Sequence, residues 1–92
     1  MPQRLVTIAS SSGLHARPAG LFAQAAAATT VPVTIARQGG APVDAASVLM
    51  VMSLALAHGE TVELTSIDAG AGPALDQLAA LLATDLDQAA SA

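Results

Sequence analysis

Gly13-Leu14-His15-Ala16-Arg17-Pro18-Ala19 sets an imidazole and a guanidinium two positions apart, between a glycine and a proline. Pro18 would break the interior of a helix but is tolerated in a first turn, where its missing N–H had no intrahelical partner. The spacing therefore predicts a helix that begins near Ala16 with His15 just before it. A helix N-terminus carries orphan N–H groups and partial positive charge, which makes it a seat for an anion. An imidazole there can hold a phosphoryl group that it has itself accepted. The backbone N–H groups of Ala16 and Arg17 would donate to the phosphate oxygens, and the Arg17 fork would add charge-assisted bonds. Gly13 permits an unusual backbone angle and leaves room for a second protein to approach. No carboxylate lies near this segment and no Walker-type loop is present. Enzymes of phosphoryl transfer use metal ions and several cationic groups. This site is sparer and suits a carrier, with no metal and no cofactor expected.

The elements that must position it follow from pattern. Leu5–Ile8 is β-rich and ends in the polar run Ser10-Ser11-Ser12-Gly13, so it reads as a strand and a loop. After Ala16, Leu21, Phe22, Ala25, Ala26 and Thr29 recur at helical spacing. Val31–Arg37 alternates as a half-buried strand, Gln38-Gly39-Gly40 turns the chain, and Ala41–Asp44 is a short strand whose proline suits an edge. Ser47 is an N-cap for the apolar run Val48–Met52. His58-Gly59 is a turn in which His58 reads as a plain surface residue. Thr61–Thr65 alternates cleanly as a strand. Pro73 then opens a helix carrying Leu75, Leu78, Leu82 and Leu86, frayed at its end by Asp85 and Asp87. The order strand-helix-strand-strand-helix-strand-helix predicts a two-layer α+β sandwich. Residues 1–88 form one domain and 89–92 a frayed tail.

Composition narrows the class. The chain has 92 residues, enough for one core, and a single aromatic, Phe22, so Ala, Val, Leu, Ile and Met must fill it. Cysteine is absent, which removes disulfides and thiolate chemistry. The only basic residues are Arg4, Arg17 and Arg37, against a net charge of −4, so the basic footprint and stacking platforms of a nucleic-acid binder are missing. No signal peptide or membrane span is expected, and the default location is cytoplasmic.

The segment Gly13–Ala19 resembles the active-site segment of HPr, the histidine phosphocarrier family of the phosphoenolpyruvate-dependent sugar phosphotransferase system (PTS). Length and element order agree over nearly the whole chain, and Ser47–Leu54 looks like that family's regulatory-serine helix. The resemblance implies an open-faced β-sandwich, a four-stranded antiparallel sheet covered on one face by three helices. It implies that His15 takes a phosphoryl group on Nδ1 from phosphorylated enzyme I and passes it to the IIA component of a sugar permease. Arg17 would stabilise the phosphohistidine and Ser12 would support the loop. Ser47 would be the target of an HPr kinase/phosphorylase in some bacteria. A monomer is the family expectation. Partners in the family dock on the first two helices, which makes Leu21, Phe22, Val48, Leu49, Val51 and Met52 candidates for an apolar contact patch. Five consecutive apolar residues cannot all point inward from one short helix, so Leu49 and Met52 are expected to be exposed. Two other readings stay open at this point: a regulatory module of the same fold that no longer carries phosphate, and an unrelated small-metabolite anion pocket.

Overall fold

Period-two alternation and a proline at each critical boundary shape the sheet in the computed structural model, which describes residues 1–85. Strand β1 spans Gln3–Thr7, β2 Thr34–Arg37, β3 Val43–Asp44 and β4 Thr61–Thr65. They form one antiparallel sheet in the order β1-β4-β2-β3. Val62 and Leu64 of β4 and Ile35 of β2 are fully buried, and Ile35 and Leu64 stand opposite each other in register. The alternate residues Leu5, Glu63 and Ala36 share the opposite face.

Strands β2 and β3 are shorter than the sequence pattern predicts, and β1 runs Gln3–Thr7 in place of Leu5–Ile8, for local reasons. Pro32 has no N–H to give a ladder, so β2 starts only at Thr34, although Val33 remains in the core. Pro42 likewise stays outside β3, which lies at the sheet edge as expected. Ile8 leaves β1 but stays buried, with its N–H donating to the Glu60 carbonyl at 2.8 Å and its carbonyl accepting from Gly59 N–H at 2.9 Å.

Three helices cover one face: α1 Ala16–Ala28, α2 Val48–Ser53 and α3 Gly72–Leu82. In α1, Pro18, Ala19, Phe22, Ala23 and Ala26 face inward. In α3, Leu75, Leu78 and Leu82 do the same, at three- and four-residue spacing. The predicted helix start at Pro73 is one residue late. Leu86, Asp87, the domain limit at 88 and the predicted frayed tail lie outside the described residues. Asp85 follows the helix, and its Oδ1 accepts from the Ser11 N–H at 3.3 Å. The α+β sandwich with one open sheet face is the architecture that the resemblance implies.

Candidate functional site

His15 is the N-cap of α1 and is exposed to solvent. Its side chain makes no capping bond to the helix, so the ring is not consumed by the usual N-cap role. Pro18 has no N–H, and the Ala19 N–H donates to the His15 carbonyl at 2.9 Å. The first-turn amides with no acceptor within the helix are therefore those of Ala16 and Arg17, the two expected from the sequence to meet a phosphate. Arg17 is exposed on the same turn. Arg4 pairs with Asp76 at 2.6 Å, and Arg37 pairs with Glu60 at 3.2 Å.

Gly13 takes the unusual backbone angle expected of it, but the room it leaves is used differently. Its φ is +76°, and it is buried against the protein's own chain. A Cβ there would stand 3.0 Å from Ala57 Cα and closer still to the Leu56 carbonyl oxygen. The space it saves admits the segment 54–60 and not a second protein. Leu14 N–H donates to that Leu56 carbonyl at 2.9 Å, and Gly13 N–H closes a turn on the Ser10 carbonyl at 2.9 Å. Beside the imidazole lies a depression of about 360 Å³ bounded by Ser12, His15, Met52, Ala55 and Leu56. A second depression, of about 330 Å³, lies on the helix-free face among Met1, Pro32 and Ile67 and includes none of the sequence-predicted site residues.

The candidate docking patch needs correction. Phe22 and Val51 are 0% exposed and belong to the core. Burying side chains of this size stabilises the fold by roughly 1.5–3 kcal/mol each, which is why they turn inward. Leu21, Val48, Leu49 and Met52 do reach the surface, Leu49 to 78%, and Met50 joins them. Four of the five residues from 48 to 52 are thus exposed instead of two, because a six-residue helix offers the core a single inward position at Val51. Ser47 is the N-cap of α2 as predicted, its hydroxyl accepting from Met50 N–H at 3.3 Å.

Sequence reasoning missed the wall behind this site. His58 is exposed, as expected, but its Nδ1 also lies 3.2 Å from the Ser10 carbonyl oxygen. Ala55, at the end of α2, has φ +50°, a left-handed conformation that costs a residue bearing a Cβ roughly 1–2 kcal/mol. Ala55→Gly removes that strain, offset in part by the freer unfolded chain. The expected net gain is about 0.5–1 kcal/mol, read as a rise of about 4 °C in thermal midpoint. Arg37 Nη2 donates to the Leu54 carbonyl at 2.7 Å and to Glu60 Oε2 at 3.2 Å, while Arg37 Nε donates to Glu60 Oε1 at 3.2 Å. Glu60 Oε2 also accepts from the Ala57 N–H at 3.3 Å.

The Arg37 hydrogen bonds hold the Glu60 carboxyl below its ordinary value of 4.5, with the Ala57 N–H assisting and partial desolvation opposing. A carboxylate depressed in the folded state stabilises the protein above its unfolded value, and that contribution fades as pH falls through the folded one. The thermal midpoint of wild type should therefore exceed that of Glu60→Gln above about pH 5, and the two should converge on further acidification.

Comparison with known proteins bears on this geometry. The sequence model of the PTS-HPr family, described as the PTS HPr component phosphorylation site, matches residues 2–84. The chain belongs to the PTS-HPr family. It is 49% identical over 88 residues to the phosphocarrier protein HPr of Streptomyces coelicolor, covering 96% of this chain and 95% of that one. It is 39% identical over 80 residues to the HPr-like protein Crh of Bacillus subtilis, covering 87% and 93%. Its fold is similar to a crystal structure of a phosphocarrier protein HPr from Bacillus anthracis, with TM-score 0.81, 36% identity and coverage of 88% and 95%. HPr-C-His from Thermoanaerobacter tengcongensis is similar at TM-score 0.84 and 29% identity, covering 95% and 97%. Membership makes this an HPr-type phosphocarrier of the phosphotransferase system, not a catalyst in its own right. Among the described residues, no helix is long and apolar enough to cross a membrane.

Proposed function

We propose that His15 accepts a phosphoryl group from phosphorylated enzyme I and passes it to IIA components of PTS sugar permeases. The Nδ1 lone pair attacks phosphorus while the donor's bond to phosphorus breaks and returns its electron pair to the donor. Transfer to IIA repeats the exchange with His15 as the leaving group. The single observation that carries this reading is the exposed imidazole at the N-cap of α1, beside the Ala16 and Arg17 amides. Those amides and the Arg17 guanidinium would steady the phosphate, and Ser12 would brace the loop. Leu21, Val48, Leu49, Met50 and Met52 form the apolar surface on which enzyme I and IIA would dock, with the carrier acting as a cytoplasmic monomer. Ser47 already serves as the α2 cap, so an HPr kinase/phosphorylase acting there would be a secondary control.

Incubation with a matched enzyme I and phosphoenolpyruvate, followed by intact-mass measurement, tests the proposal. The expected product is one added phosphoryl group that is lost in acid and kept in alkali. An unmodified mass with an enzyme I that phosphorylates its own carrier would overturn it.

A further inference from the structure

The segment 54–60 forms the floor on which the His15 loop rests. One backbone link joins the two directly, Leu14 N–H to the Leu56 carbonyl at 2.9 Å, and two more tie the segment to Ile8 where β1 leads into the loop: Gly59 N–H to the Ile8 carbonyl at 2.9 Å and Ile8 N–H to the Glu60 carbonyl at 2.8 Å. Gly13 packs directly against Leu56 and Ala57. Any shift of this floor moves the residue next to the imidazole. The floor has little regular structure of its own, and it leaves α2 through the strained Ala55. What fixes it from behind is one guanidinium from the sheet. Arg37 stands at the end of β2, donates to the last carbonyls of α2 through Leu54, and grips both oxygens of Glu60. A cation at a helix C-terminus complements the partial negative charge there. Glu60 completes the link by accepting from Ala57 N–H, one residue beyond the carbonyl that holds Leu14.

We propose that Arg37 and Glu60 are positioning residues for phosphoryl transfer at His15, acting through the 54–60 segment. The inference rests on the phosphocarrier reading. Neither side chain needs to touch the phosphoryl group. Arg37 clamps the far side of the floor, and the floor sets where the His15 ring stands relative to the α1 amides. Misplacement of a reacting group by about 1 Å is enough to slow a transfer up to a hundredfold, so a loosened floor has a kinetic consequence. An exposed ion pair alone contributes little to stability. The bond to the Leu54 carbonyl is what makes this pair different from Arg4–Asp76, which joins β1 to α3.

The test compares Arg37→Gln, Arg37→Lys, Glu60→Gln and Arg4→Gln as substrates of enzyme I with phosphoenolpyruvate, each verified as folded by circular dichroism. Arg37→Gln and Glu60→Gln should lower the kcat of enzyme I for the carrier about tenfold with a smaller change in KM, within the range that misplacement gives. Arg37→Lys, which keeps a cation in reach of Leu54 and Glu60, should recover most of it, and Arg4→Gln should transfer as wild type does. In the unphosphorylated protein, NMR should show the His15 ring and the Ala16 and Arg17 amide resonances shifting in Arg37→Gln and unmoved in Arg4→Gln. Wild-type kcat with unmoved His15 resonances in folded Arg37→Gln would overturn the inference. So would an equal loss in Arg4→Gln, which would assign the effect to general stability. A wild-type chain that takes no phosphoryl group would instead sink the carrier reading, and the NMR comparison would then decide by itself whether Arg37 orients His15.

Discussion

His15→Ala abolishes the gain of a phosphoryl group, while His58→Ala retains it. The chain has two histidines, so the pair of variants assigns the acceptor without ambiguity. His15 stands exposed where first-turn amides and a guanidinium can share the charge of a phosphate. His58 instead lies with Nδ1 3.2 Å from the Ser10 carbonyl oxygen, and no helix N-terminus adjoins it. The folding cost of His15→Ala is expected to be small, within about 0.5 kcal/mol, because the side chain is exposed and makes no capping bond to the helix that the substitution would remove. Loss of the adduct then reports chemistry and not unfolding. Intact-mass measurement on wild type and both variants, with matched enzyme I, reads the outcome. An adduct that survives in His15→Ala would move the phosphoryl site elsewhere.

Gly13→Ala is expected to be the most disruptive single methyl group that this loop can receive. The left-handed backbone at φ +76° costs an alanine roughly 1–2 kcal/mol. Contact with the Leu56 carbonyl and Ala57 adds an overpacking cost of about 1–3 kcal/mol, because both are backbone and cannot rotate aside. The total of about 2–5 kcal/mol is a large share of a small domain's stability. The thermal midpoint should fall by at least about 10 °C. Gly39→Ala is the matched control, since its φ is +80° with open space around it. It carries the backbone cost alone. Equal losses in the two variants would show that the Leu56 contact yields, and that the floor of the site is softer than its hydrogen bonds suggest.

Much of this was legible in residue order. Thr61–Thr65 alternates so regularly that the predicted strand and β4 coincide. Ser47 sits where a cap is required, and Pro18 could only belong to a first turn, which put His15 at its threshold. The failures have a common cause. Phe22 and Val51 look like members of an exposed patch because helical spacing gives a stripe without saying which side faces the sheet. The length of α2 decides that question, and it emerges only when Ala55 turns the chain. Likewise Arg37, Leu56 and Glu60 reach His15 through hydrogen bonds between segments far apart in sequence. No local pattern records them.

Pro18 carries one last implication. By removing a hydrogen from the ring of donors at the head of α1, it caps how firmly any anion can be gripped there. A shuttle has to release its cargo as readily as it receives it, and a shallower well favours onward passage over storage. A proline in the helix's first turn would thereby also help set the lifetime of what rests upon it.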